Sequence, residues 1–85
     1  MEIKLSPRFK KSFAKLHPRI QRKAVEKMAV FRKNQFDPRL NTHKLRGERK
    51  DEWAYSVDYS YRIVFVFLKD DVMLCLDIGT HDELY

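Results

Sequence analysis

The stretch Ile63-Val64-Phe65-Val66-Phe67-Leu68 is apolar at every position. An extended chain points successive side chains to opposite faces, so this run has no polar face to offer to water. Short and rich in β-branched and aromatic residues, it reads as a strand covered on both sides, with helices on one of them. Such a strand belongs in the middle of a sheet. The chain is 85 residues long, and at that size it buries only about 60 to 65% of the surface its unfolded form exposes. There is room for one domain, residues 1–85, with one thin core around that strand.

The flanking sequence supplies the partners. Glu2-Ile3-Lys4-Leu5 alternates polar and apolar residues as a short strand does, and Ser6-Pro7 follows as a helix N-cap with proline at the first helical position. Phe9, Phe13 and Leu16 recur at helical spacing. His17-Pro18 interrupts them, with His17 read as a cap, and a longer helix runs to about Asn34 on the stripe Ile20, Ala24, Met28 and Phe31. Helical periodicity ends at Gln35-Phe36-Asp37-Pro38, because the residue before a proline is pushed out of the α region. A loop with a possible short strand follows through Leu40, His43 and Leu45, and Gly47 to Glu52 is too polar to bury. Strands are expected at Trp53 to Val57, Tyr61 to Leu68 and Val72 to Ile78, the last two joined at Lys69-Asp70-Asp71 in an antiparallel hairpin. The expected class is α+β: an N-terminal helical hairpin packed on a mainly antiparallel, strongly twisted sheet of about four strands.

Charge is distributed unevenly along this frame. Residues 1–50 carry 16 Lys/Arg against 4 Asp/Glu and residues 51–85 carry 2 against 8, so halves of +12 and −6 make the net +6. A basic half fits contact with a phosphate backbone, and it equally fits a solvated helical face or an acidic protein partner. The lone Cys75 sits among apolar neighbours, excludes an internal disulfide and reads as a core residue of a reducing compartment. Met1 to Leu5 is too short and charged for a signal peptide, and no run reaches membrane-spanning length; a cytoplasmic protein is expected.

Most chemical signatures are missing. Two glycines, Gly47 and Gly79, cannot build a nucleotide-binding loop, and His17, His43, His81 and Cys75 lack metal-ligand spacing. Asp70-Asp71 reads as a turn and Asp82-Glu83 as a solvated segment, so no metal or cofactor is expected. What remains can act on a phosphodiester. Cleavage of RNA through its own 2′-hydroxyl needs a base, a cation for the transition-state charge and an acid for the leaving oxygen. Histidine suits both proton transfers, and Arg62, at the head of the central strand, can hold a phosphate or pair with Asp58 or Glu52. Trp53, Tyr55, Tyr59, Tyr61 and Tyr85 offer faces for unpaired bases, while Trp53 and Tyr61 suit the core equally and Tyr85 can staple the terminus. The four-residue spacing of His81 and Tyr85 puts both on one side whether the tail is helical or extended.

Five segments in order, Phe36-Asp37-Pro38-Arg39-Leu40, Thr42-His43-Lys44-Leu45-Arg46-Gly47, Trp53, Tyr61-Arg62-Ile63-Val64-Phe65 and Asp77-Ile78-Gly79-Thr80-His81-Asp82-Glu83-Leu84-Tyr85, resemble the RelE/ParE superfamily of bacterial toxin–antitoxin toxins. The ending and the His-Lys-Leu stretch are most similar to its YafQ-like branch. The resemblance implies a RelE-like fold and a metal-independent endoribonuclease that cuts mRNA in the ribosomal A site and is silenced by a cognate antitoxin. Carried over by position, His81 is a general acid/base, His43 a second proton-transfer or phosphate-contacting group, Arg62 the transition-state cation and Tyr85 the stacking aromatic. The YafQ-like pattern has a further histidine and an aspartate where this chain has Ser56 and Ser60. Lys10, Lys11, Lys15, Arg22, Lys23, Lys27, Lys44 and Arg46 become the expected RNA- and ribosome-binding set. The free toxin is expected to be a monomer. Two other readings stay open: a ParE-like inhibitor of DNA gyrase, and a binding module with a decayed catalytic set.

Overall fold

The computed structural model describes residues 1–69 and 71–85. In chain order it contains strand β1 (Glu2–Leu5), helices α1 (Pro7–Ala14) and α2 (Pro18–Lys33), strands β2 (His43–Lys44), β3 (Trp53–Ser56), β4 (Tyr61–Phe67) and β5 (Val72–Thr80), and a one-turn helix α3 (His81–Leu84). Single 3-10 turns occupy Pro38–Leu40 and Gly47–Arg49. Of the expected hairpin turn, Asp70 lies outside the described residues.

The helices begin where their caps dictate. The Ser6 side chain accepts from the Phe9 amide ahead of Pro7, and the His17 ring nitrogen accepts from the Arg19 amide ahead of Pro18. Each proline has no amide hydrogen to leave unpaired. Phe9 of α1 and Ile20, Ala24 and Phe31 of α2 are buried. Phe9, Ala24 and Phe31 pack with Tyr55, Val57, Ile63, Phe65, Met73, Cys75 and Ile78 in the main core, so both helices cover one face of the sheet. Cys75 is a buried free thiol in that core, and burial pushes it up to about 12.

Among the described residues the sheet has five strands, in the order β1-β5-β4-β3-β2. The expected strands, Glu2 to Leu5 among them, all form, and the two-residue β2, read only as a possible short strand, adds the fifth. All pairings are antiparallel except β1 with β5, which is parallel and aligns Glu2 with Val72 and Leu5 with Cys75. β4 is the central strand. Its Ile63 and Phe65 enter the main core, and Val64 faces the other way into a smaller cluster with Ala54 and Leu84, flanked by Leu45 and Leu76.

β5 contains a bulge. Val64 pairs with Asp77 but Phe65 pairs with Cys75, leaving Leu76 as an extra residue in β5. Strict alternation from Cys75 would send residues 77 and 79 toward the helices. After the bulge it is Ile78 that meets Ile63 in the main core, and Gly79 stands beside Arg62 on the opposite face. Among the described residues, no helix is long and apolar enough to cross a membrane.

One core group is out of place. The Tyr55 ring stacks on Phe31 at 4.9 Å and meets Phe65 edge-on at 5.6 Å, but its buried hydroxyl has no hydrogen-bond partner among the described residues. Burial, helped by nearby Cys75, raises the phenol far above its ordinary value. An unpaired buried hydroxyl costs about 1 to 3 kcal/mol. Tyr55→Phe keeps the ring and removes that cost, so its Tm rises, by about 4 to 8 °C for each kcal/mol recovered. A lower Tm in thermal unfolding would show that the hydroxyl is paired in solution.

Candidate active site

The chain end is helical, and its residues are held by local chemistry. Thr80 caps α3 through a capping box: its side chain accepts from the Glu83 amide while the Glu83 carboxylate accepts from the Thr80 amide at 2.7 Å. The turn folds back over Gly79, which is buried. A Cβ at Gly79 would stand 3.1 Å from Glu83 Oε1, 3.4 Å from Glu83 Cβ and 3.6 Å from Leu84 Cδ2. His81 opens the turn and Tyr85 follows it, with ring centroids 4.6 Å apart at 65°. That is the edge-on geometry favoured by aromatic pairs.

Arg62 projects from β4 next to this turn. Across the strands it pairs with Ser56 of β3 and Gly79 of β5. Its Nη1 donates to Ser56 Oγ at 3.0 Å, and its Nε is buried with no partner among the described residues. Ser56, in the position where the YafQ-like pattern has a titrating group, orients the guanidinium here. The alternative pairings of Arg62 with Asp58 or Glu52 do not form. Asp58 instead accepts from the Ser60 and Tyr61 amides, and Glu52 binds Arg49.

His43 comes from β2, two strands away. Its Nδ1 lies 2.9 Å from the Asn41 carbonyl. A carbonyl only accepts, so the neutral ring carries its hydrogen on Nδ1 and leaves Nε2 as the acceptor. Asn41 itself adopts a left-handed conformation, φ 49°, which asparagine tolerates. His43, Lys44, Arg46, Arg62, His81 and Tyr85 all line one open groove of about 410 Å³ on the sheet face away from the helices. Residues spread over 43 positions of sequence thus converge. His81 is 66% exposed there and its Nδ1 stands 3.6 Å from Asp82 Oδ1, a partner for the ring when it is protonated. Tyr85 is 47% exposed. Burial raises its phenol above the ordinary value even though Arg62 and Arg49 pull the other way, so the hydroxyl keeps its proton at neutral pH.

The basic residues divide into three groups. Lys44 and Arg46 line the groove. Lys10, Lys11, Lys15 and Arg22 are exposed on the helical side, on the opposite face of the sheet. Lys23 and Lys27 are engaged within the fold: Lys23 Nζ lies 3.7 Å from Asp58 Oδ2, and Lys27 Nζ donates to the Val57 carbonyl at 3.1 Å, so both tie α2 to the β3–β4 turn. Trp53 and Tyr61 pack against the main core, as the core reading allowed, and Tyr59 is 98% exposed. Among the described residues no three His, Cys, Asp or Glu side chains converge as a metal-binding group. One residue of the site escaped sequence reasoning. Arg49, in the polar turn, donates to the Leu84 carbonyl, and its Cζ sits 5.6 Å from the Tyr85 ring centroid. The local sequence offers only its three-residue spacing from Glu52 as a signal.

No protein-family model matches the chain. No curated protein matches it in sequence. Solved structures do share its architecture. YafQ from Escherichia coli superposes with a TM-score of 0.81 at 19% identity, covering 99% of this chain and 97% of that one. The E. coli DinJ–YafQ toxin–antitoxin complex gives 0.78 at 20% identity, covering 99% and 96%. The archaeal RelE–RelB complex from Pyrococcus horikoshii gives 0.74 at 18%, covering 93% and 92%. The chain has the RelE-like fold.

The closeness of α3 to Gly79 gives a test of how the turn is held. Gly79→Ala crowds Glu83 Oε1 by a few tenths of an ångström and is expected to loosen the capping box, a loss of about 1 kcal/mol. The Tyr85 amide, bonded to the His81 carbonyl at 3.0 Å, should then exchange its hydrogen roughly fivefold faster. An unchanged exchange rate would show that the turn does not depend on that close approach.

Proposed function

We propose that this chain is a toxin of the RelE/ParE superfamily, nearest the YafQ-like branch, that cleaves mRNA as an endoribonuclease and is neutralised by a cognate antitoxin. The observation that carries the reading is the single groove into which His43, Arg62, His81 and Tyr85 project together, bordered by Lys44 and Arg46. The likeness to YafQ and RelE, both solved in complexes, supports the toxin role and the antitoxin partner. The site of action is the A site of the ribosome, in the cytoplasm, where a small open groove can receive an unpaired mRNA strand.

In this mechanism His43 Nε2 takes the proton of a 2′-hydroxyl. The freed 2′-oxygen attacks the adjacent phosphorus, and the bond from phosphorus to the 5′-oxygen breaks. His81 gives its proton to that 5′-oxygen, leaving a 2′,3′-cyclic phosphate and a 5′-hydroxyl. Arg62, oriented by Ser56, offers its positive charge to the non-bridging oxygens as negative charge builds on them. Tyr85 stacks on a base and, remaining protonated, brings no competing charge. The chain's own residues account for both proton transfers and the charge stabilisation. The exposed Lys10, Lys11, Lys15 and Arg22 lie on the helical face, where they can track ribosomal RNA while the groove engages mRNA.

Expression of the chain without an antitoxin should arrest growth and produce new mRNA 5′ ends at fixed positions within codons. His81→Gln should lower cleavage by about 10² to 10⁴ while leaving the fold and antitoxin binding intact. Full toxicity of His81→Gln, with DNA damage and no in-frame cuts, would overturn this reading in favour of gyrase inhibition.

A further inference from the structure

The groove has two walls that are far apart in sequence, the β2 side with His43 and the α3 side with His81 and Tyr85. α3 is a single turn, and the carbonyls at the end of a helix have no partner within it. Arg49 supplies one, donating from Nη1 to the Leu84 carbonyl. Its guanidinium is fixed in turn, because Nε and Nη2 both donate to Glu52 Oε1, at 3.0 and 2.7 Å. Glu52 is bound to the other wall: its carbonyl accepts from the Leu45 amide at 2.9 Å, directly after β2. From that position Arg49 Cζ reaches 5.6 Å from the Tyr85 ring centroid, within cation–π range.

We propose that Arg49 is a positioning residue, a clamp that joins the β2 wall to the last turn and so holds the Tyr85 ring against His81. The proposal rests on the nuclease reading only for its effect on rate; the geometric part stands without it. One side chain makes all these contacts through a planar fork of donors, three of them on Glu52 Oε1 and the Leu84 carbonyl. Lysine carries the same charge on a single nitrogen and cannot reproduce them. Arg49→Lys is therefore the informative variant, since it keeps electrostatic attraction for RNA and removes the clamp.

The His81 imidazole protons lie near the Tyr85 ring and report its position by their ring-current shifts in NMR spectra. In Arg49→Lys and Arg49→Gln these shifts should move to the values seen in Tyr85→Ala, with the β4 and β5 resonances unchanged. RNA cleavage should fall roughly 10- to 100-fold in kcat with KM nearly constant, as expected when a reacting group is displaced and binding charge is kept. In a Tyr85→Ala background Arg49→Gln should cost little more, because both changes remove one arrangement. Wild-type ring shifts in Arg49→Lys, or equal losses with and without Tyr85, would overturn the proposal. If Arg49→Gln does not fold, Glu52→Gln frees the guanidinium with less disturbance, and its His81 shifts decide in the same way. A wild-type protein without any nuclease activity would overturn the mechanism proposed above and leave the ring-shift result to decide the clamp.

Discussion

β5 is hydrogen-bonded on both sides, and the rest of the molecule is organised by that fact. It is the longest strand, parallel to β1 on one edge and antiparallel to β4 on the other. The ties continue past the strands. The Glu2 amide donates to the Asp71 carbonyl, the Ser6 amide to the Cys75 carbonyl, and the Ser6 hydroxyl to the Leu76 carbonyl. The residue that caps α1 is thus also anchored to β5 at the bulge. Helix placement, sheet order and the site at the end of β5 follow from one set of pairings.

The bulge at Leu76 gives this arrangement its functional geometry. It sets Ile78 among the core residues under the helices and turns Gly79 to the other face, so α3 forms on the side away from α1 and α2. The domain has two chemically different surfaces as a result. One is helical and carries exposed lysines and arginine; the other holds the groove with its histidines, arginines and tyrosine. A molecule bound on the helices and one bound in the groove need not compete for the same side chains. Lys23 and Lys27 show that net charge overstates the basic surface, since both are drawn into contacts that fasten α2 to the sheet.

The parts of the fold that depend on local chemistry were legible in the sequence. Ser6-Pro7 and His17-Pro18 start their helices as read, and the all-apolar run from Ile63 takes the central strand. The count of about four leaves out β2, an edge strand of two residues, too short for alternation to carry a clear signal. The bulge was invisible for another reason: it is a mismatch between two strands, and a single strand's pattern does not contain its partner's register. His43, Arg62, His81 and Tyr85 were found by the chemistry of their side chains and by family resemblance, and the groove brings all four together. Arg49 was missed because its partner, the Leu84 carbonyl, is 35 residues away and is a backbone atom that no sequence pattern marks. Ser56 was read as the absence of a titrating group, when its hydroxyl accepts from Arg62.

The parallel pairing of β1 also imposes an order on synthesis. Proteins leave the ribosome N-terminus first, and β1 has β5 as its hydrogen-bonded neighbour, 70 residues later at Glu2 and Val72. Contacts this distant in sequence close late, because the entropy of a long loop must be overcome before the pairing repays it. A nascent chain can form its helices and the β3–β4 hairpin while β1 still waits. The groove needs Gly79, His81 and Tyr85, so it comes into being with sheet closure and not before. On the function proposed above, the chain would be inactive toward the ribosome that is making it.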